Sequence, residues 1–225
     1  MALAVILLVI GISVYCYPYF TNWKYQREVE QKSQIFMEET EKEQKNYEAL
    51  YQLFKEENKK LFQEKQKNLT RAAAYENANI DLHEYGIDVD YVGFIKIPKM
   101  NIHLPIYLGA SEEHMKKGAA HLTETSYPIG GKHTNCVLAA HRGYSKAAMF
   151  REIETLQEGD LVYIENFWGI LTYRVRKTLV VWPTDVDNLY IREDEDLLTL
   201  ITCHPYRQNS QRYLVICENI SEVLE

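Results

Sequence analysis

From Tyr91 onward the chain is a succession of short apolar, β-branched runs, each soon cut off by glycine, proline or a polar turn. Val92-Gly93-Phe94-Ile95-Lys96-Ile97-Pro98 reads as a strand ending at proline. His103-Leu104-Pro105-Ile106-Tyr107 reads as a short edge piece, because a proline cannot serve a central ladder. Further strands are expected at 135–141, 161–165, 171–182, 197–203 and 213–218, separated by Gly130-Gly131, Glu158-Gly159-Asp160 and Pro205-Tyr206. Short helical turns are expected at 112–117 and 147–153. Many short strands with few helices imply a mainly β fold, a closed or nearly closed barrel.

The first ninety residues follow other rules. Residues 1–17 are almost uninterrupted Ala, Leu, Val and Ile, near the lower limit of about 17 for a spanning helix. Neither the basic start nor the small-residue cleavage site of a signal peptide is clear, and the first charge is Lys24. Either the true N-terminus lies upstream or the run is an uncleaved anchor. An anchor over 1–21, with the bulk of the chain outside a bacterial membrane, is the expectation. Between 22 and 68 the composition turns to Glu, Lys and Gln, with no Gly or Pro. Tyr47, Leu50, Tyr51, Phe54, Leu61 and Phe62 recur at three-and-four spacing, the mark of an amphipathic helix. One long helix or two should form a stalk over 22–80, packing partly against a catalytic domain at 81–225.

Composition removes some classes. A net charge of -7 over 225 residues, with no basic patch, argues against nucleic acid as a partner. Cys16, Cys136, Cys203 and Cys217 contain no C-x-x-C pair, which argues against zinc. Cys136 and Cys217 sit in strand-like runs; two buried small hydrophobes are favoured, and a disulfide stays open for an oxidising exterior.

Thr199-Leu200-Ile201-Thr202-Cys203 carries the chemistry. An apolar run delivers a single thiol to a strand end, where the His204-Pro205 turn leaves it accessible. A thiolate is the useful nucleophile, so a cation or an imidazole is needed nearby. His141 ends the run Cys136-Val137-Leu138-Ala139-Ala140, and from that edge it can protonate a leaving amine. His121, His133 and His204 are rivals, but a residue adjacent to Cys203 along a strand points to the opposite face. Arg212 is the candidate to stabilise an oxyanion, with Arg207 the alternative. Thiol, imidazole and guanidinium together suit acyl transfer through a thioester.

These residues resemble the sortase family. Thr199-Leu200-Ile201-Thr202-Cys203 is similar to the sortase T-L-x-T-C signature, with the family's histidine falling on His141 and its arginine on Arg212. Gly93-Phe94-Ile95-Lys96-Ile97-Pro98, Leu104-Pro105-Ile106-Tyr107 and Ala140-His141-Arg142-Gly143 look similar too, so the likeness covers about 91–219. The resemblance implies an eight-stranded sortase-type barrel on the outer face of a Gram-positive membrane, needing no metal or organic cofactor. It implies cleavage of an L-P-x-T-G-like sorting signal after threonine, with Cys203 as nucleophile, His141 as acid then base, and Arg212 on the oxyanion. Thr202 and Ala140 are expected to touch substrate.

Leu108-Gly109-Ala110-Ser111-Glu112, Pro128-Ile129-Gly130-Gly131 and Cys203-His204-Pro205-Tyr206 look most like class C, the pilin polymerases, which join the threonine to a lysine of the next pilin. Class C lids usually bear Asp-Pro-aromatic; here the region reads Arg71-Ala72-Ala73-Ala74-Tyr75. Ala72, Ala73 and Ala74 offer neither a carboxylate nor a ring, so a looser lid, with greater peptide access and hydrolysis, is expected. The competing reading of those alanines is a short helical continuation. Class C members also commonly carry a C-terminal membrane helix, whereas this chain stays polar to Glu225, so either a single N-terminal anchor or a truncated chain is expected. The alternatives are a housekeeping sortase that attaches surface proteins to peptidoglycan, a thiol peptidase, and a non-catalytic membrane-tethered domain for adhesion or assembly.

Overall fold

A computed structural model describes residues 2–42, 47–71, 75–76, 80–144 and 147–221. The expected alanine lid, 72–74, lies outside the described residues. Helix α1 (Ala2–Lys42) is followed by α2 (Glu48–Gln63) and by strands β1 (Tyr91–Ile97) and β2 (Ile102–Leu108). After the short α3 (Glu112–Lys117) come β3 (Ala119–His121), β4 (Thr134–Ala139), β5 (Leu161–Asn166), β6 (Gly169–Val181), β7 (Asp196–His204) and β8 (Gln211–Asn219). The eight strands close into a barrel in the order β1-β2-β3-β4-β7-β8-β6-β5.

Two pairings, β2 with β3 and β4 with β7, are parallel, and the rest are antiparallel. Alternation along each strand sends one set of side chains inward. Ile95, Leu104, Ile106, Leu138, Leu198, Leu200 and Val215 fill the barrel, while Phe94 faces outward against Phe36 of α1, and Val137, Leu214 and Leu122 form a smaller cluster with Leu69 and Leu189 on the outer wall. At one end the Asp196 carboxylate accepts from the Gly131 N–H (2.6 Å), Asn219 Nδ2 (2.8 Å) and the Thr134 hydroxyl (3.2 Å). Those bonds stitch the start of β4 and β7 to the end of β8 and so help to set their register.

Three expectations need correcting. Strand β2 is not an edge piece: it pairs with β1 on one side and β3 on the other. Pro105 is tolerated because the β2–β3 ladder begins at Ile106, one residue beyond it. Strand β3 was not expected at all, since Ala119-Ala120-His121 has no β-branched or aromatic signal; closure of the barrel recruits it. The second helical turn is also displaced, with a 3-10 helix at Ile153–Thr155.

Nor does the compositional change at Asn22 break the backbone. Helix α1 runs straight through it, exposed and apolar at its N-terminal end and packed on the barrel further along through Val29, Ser33 and Phe36. Helix α2 buries Leu50, Phe54 and Asn58, with the Phe54 ring stacked on Tyr127 at 4.4 Å. Cys136 and Cys217 are free and buried, and burial pushes both thiols up. Each faces Leu198 from opposite neighbouring strands. Two strand spacings, roughly 10 Å, therefore separate them, too far for a disulfide.

Gly93 marks where β1 is squeezed. Its φ is 155°, it lies at an irregularity in the β1–β2 register, and a Cβ there would come within 2.1 Å of the Glu165 carbonyl oxygen on β5. Backbone cannot swing aside as a flexible side chain could. Gly93→Ala is expected to cost on the order of 3 kcal/mol. Thermal denaturation should show Tm lowered by about 10 °C.

Candidate active site

Parallel pairing brings the thiol and the imidazole to the same edge of the barrel. Ala139 of β4 pairs with Ile201 of β7, so Ala140-His141, just past the end of β4, run beside Thr202-Cys203 of β7. The Thr202 hydroxyl donates to the Ala140 carbonyl at 2.7 Å, and the Ala140 N–H donates to the Ile201 carbonyl at 3.3 Å, tying the two ends together. On the other side of β7, the antiparallel register sets Arg212 directly opposite Cys203. Directly opposed residues share a face, so sulfur and guanidinium project to the same side.

Alternation selects that side. Val137, Ala139 and His141, then Ile201 and Cys203, then Leu214 and Arg212, follow the outward set along three adjacent strands. Ala139, His141, Ile201, Cys203 and Arg212 of that set bound a cleft of about 410 Å³. Its apolar lining comes from Ile201, Leu122, Val181 and Leu189, and its rim from Tyr75, Met115 and Asp185. Thr202 and Ala140 line it too, though Thr202 is buried with its hydroxyl already engaged. Tyr75 was assigned no role from the sequence. Its carbonyl accepts from the Ala110 N–H at 2.7 Å, and its hydroxyl bonds the Leu69 carbonyl, which pins this short segment at the cleft. Only its position beside the alanine run could have flagged it.

Burial holds the His141 imidazole below its ordinary pKa; the nearby Lys116 cation pushes the same way and Glu112 opposes. Its ring stacks on Tyr144 at 5.8 Å. Lys116 and Glu112 form an exposed ion pair of 2.5 Å on α3. Removing the cation leaves an unopposed carboxylate near the ring, which favours imidazolium. Lys116→Ala should therefore move the His141 titration upward, modestly because the pair is exposed, and the difference should shrink in high salt. An NMR titration of the His141 ring checks it.

Arg212 Nη1 donates to the Asn209 and Gln211 carbonyls, at 3.1 and 2.9 Å, which holds the guanidinium over the strand end. Among the described residues no carboxylate pairs with it. Arg207 instead sits over the Tyr206 ring at φ 65° and does not line the cleft.

The rival histidines lie elsewhere. His121 is fully buried against the Thr125 and Ser126 carbonyls, and burial pushes its imidazole down to about 4. His133 stacks on Phe62 and accepts from the Asp194 N–H. His204 faces away from the cleft: its Nδ1 lies 2.9 Å from Arg142 Nη1 and 2.9 Å from Glu154 Oε1. Arg142 itself reaches Glu154 at 2.5 Å and the Cys203 carbonyl at 3.5 Å. This cluster, with Arg142 buried and Glu154 exposed, supports the strand ends from behind, and the sequence did not reveal it because Glu154 arrives from a separate turn. Among the described residues, no three His, Cys, Asp or Glu side chains gather so as to hold a metal ion.

Residues 95–220 match the sortase domain family, more than half of the chain. The chain belongs to the sortase family. The barrel is thus a sortase barrel, and the cleft lies beside Cys203, near the end of β7. Over 126 residues, 55% of the chain, it is 33% identical to Sortase A of Bacillus anthracis; over 132 residues it is 28% identical to Sortase D of Bacillus subtilis. Those stretches cover 57% and 64% of the relatives, so the chain spans less than two thirds of either. Its fold is similar to that of sortase C-1 from Streptococcus pneumoniae, with TM-score 0.67, 30% identity, and coverage of 86% of this chain and 100% of that one. It is also similar to sortase C1 of the GBS pilus island 1, with TM-score 0.61, 33% identity, and coverage of 77% and 86%. The structural neighbours are class C sortases.

Proposed function

We propose that this sortase is a membrane-anchored cysteine transpeptidase. It cleaves an LPxTG-like sorting signal through a Cys203 thioester and passes the acyl group to a lysine amine of a pilin subunit. One observation carries the reading: adjacent strands β4, β7 and β8 present His141, Cys203 and Arg212 to one cleft. The class C neighbours support the pilin acceptor. The apolar N-terminal part of α1 is long enough to cross a membrane, which supports the anchor. The same reading assigns 1–21 to the anchor, 22–80 to the stalk and lid, and 81–225 to the catalytic domain.

The thiol proton passes to His141 as sulfur attacks the threonine carbonyl. Arg212 donates to the oxyanion as it forms, an interaction stronger in the transition state than in the ground state. His141 then protonates the departing glycine amine, and the thioester remains on Cys203. The incoming amine attacks that thioester and gives its proton to His141, and the thiolate leaves as the new amide closes. Thr202 and Ala140 brace the cleft floor beside the substrate backbone.

The test is product analysis. A sorting-signal peptide should yield mostly amide with a pilin domain added and free acid without it. Amide formed instead with a peptidoglycan-derived amine would make the enzyme a housekeeping sortase. Free acid under every condition would make it a peptidase.

A further inference from the structure

We propose that the catalytic cleft is held at the bilayer surface, with α3 and the residues around Ala148 facing the lipid headgroups. This rests on reading the start of α1 as a membrane anchor, and adds to it the orientation of the barrel. In α1 the residues from Ala2 to Phe20 are all exposed, and a stretch of that length spans about 28 Å at about 1.5 Å of rise per residue. That matches the hydrocarbon thickness of about 30 Å. Tyr15, Tyr17, Tyr19, Phe20 and Trp23 then crowd the C-terminal end of the run, all exposed, the residues that settle at a membrane–water interface. Exposed Lys24 follows, and Arg27 lies over the Trp23 ring at 5.7 Å, cations suited to lipid phosphates.

The barrel begins where the anchor ends, and α1 touches it in a fixed order. Asn22 Oδ1 accepts from the Ala148 N–H at 2.8 Å, and the Tyr25 hydroxyl donates to the Lys117 carbonyl at 2.6 Å. Further along, the Ser33 hydroxyl donates to Glu165 at 2.9 Å and the Phe36 ring lies 4.7 Å from Phe167. Counting from Phe20, these levels stand about 3, 8, 20 and 24 Å above the hydrocarbon boundary. Ala148 lies two residues before Phe150, whose N–H donates to the His141 carbonyl at 3.0 Å; Met115 of α3 lines the cleft itself. The cleft rim is thus the low end of the barrel and the β5–β6 turn the high end. Pro18, which removes one helical hydrogen bond, lies before Asn22. A bend there swings the barrel as a unit and keeps the Asn22 end lowest. An acyl donor presented at the membrane surface meets the thiol without crossing open solvent.

The full chain, as Cys16→Ala and Cys203→Ala, should be reconstituted into phosphatidylcholine–phosphatidylglycerol vesicles containing a nickel-chelating headgroup lipid. One nitroxide goes on Lys117→Cys and another, in a separate protein, on Ile170→Cys, which is exposed beside the β5–β6 turn. The expected result is a several-fold greater nickel relaxation of the Lys117 label. Seven polar residues inserted between Thr21 and Asn22 lift the barrel by about 10 Å with nearly unchanged helical phase. In that variant the difference should collapse. Protein that floats with the vesicles but relaxes equally at both sites, or more at Ile170, overturns the orientation while leaving the anchor intact. Protein that does not float overturns the anchor and the orientation together.

Discussion

Cys203→Ala is expected to abolish cleavage of an LPxTG-type peptide, a loss on the order of 10⁶ in kcat, the scale of nucleophile loss in other covalent enzymes. No other thiol can substitute. Cys136 and Cys217 are sealed in the barrel, where burial raises their pKa far from the thiolate range. Cys16 is exposed, but on the apolar segment of α1. Cys203 is half-buried and lines the cleft with His141 and Arg212. Because its side chain is small and partly open, stability should change by no more than about 0.5 kcal/mol. Mass spectrometry of protein quenched during turnover should find a peptidyl adduct on Cys203 in the parent and none in the variant. An adduct on any other cysteine of the variant would show the nucleophile to be misassigned.

Arg212→Ala is expected to lower kcat/KM by about 10²–10³-fold, the usual cost of removing one oxyanion donor. The guanidinium stands opposite Cys203 and is oriented by the Asn209 and Gln211 carbonyls. Because no described carboxylate neutralises it, its charge is available to a developing oxyanion. Arg212→Lys should recover only part of the rate, since an ammonium keeps the charge and loses the planar fork. The fall should appear in kcat more than in KM, as for an interaction strongest in the transition state. A pure rise in KM would make Arg212 a substrate-binding residue alone. A Tm drop matching the activity loss would make it structural.

That these two residues and His141 stand at strand ends was legible in the sequence for a simple reason. Each closes or opens a β-branched run, and a chemically capable side chain at a strand end is conspicuous against an apolar background. The amphipathic spacing of Leu50 and Phe54 was equally readable, and both are fully buried. Weak local signals fared worse. Ala119-Ala120-His121 became a strand only because barrel closure needed a partner for β2 and β4, and Pro105 escaped the edge because its neighbouring ladder starts one residue later. The cluster of Arg142, Glu154 and His204 joins three segments whose proximity no periodicity records.

By itself the sequence determined which residues share a face within one strand, because side chains alternate with a period of two whatever the strand packs against. It determined too that a thiol, an imidazole and a guanidinium each stand at a strand end. Only the tertiary structure decided that β4 lies parallel beside β7 and β8 antiparallel on its other side, which turns three separate ends into one cleft. Neighbour order in a barrel is set by closure and by the packing of its whole interior, and no local stretch of chain encodes it.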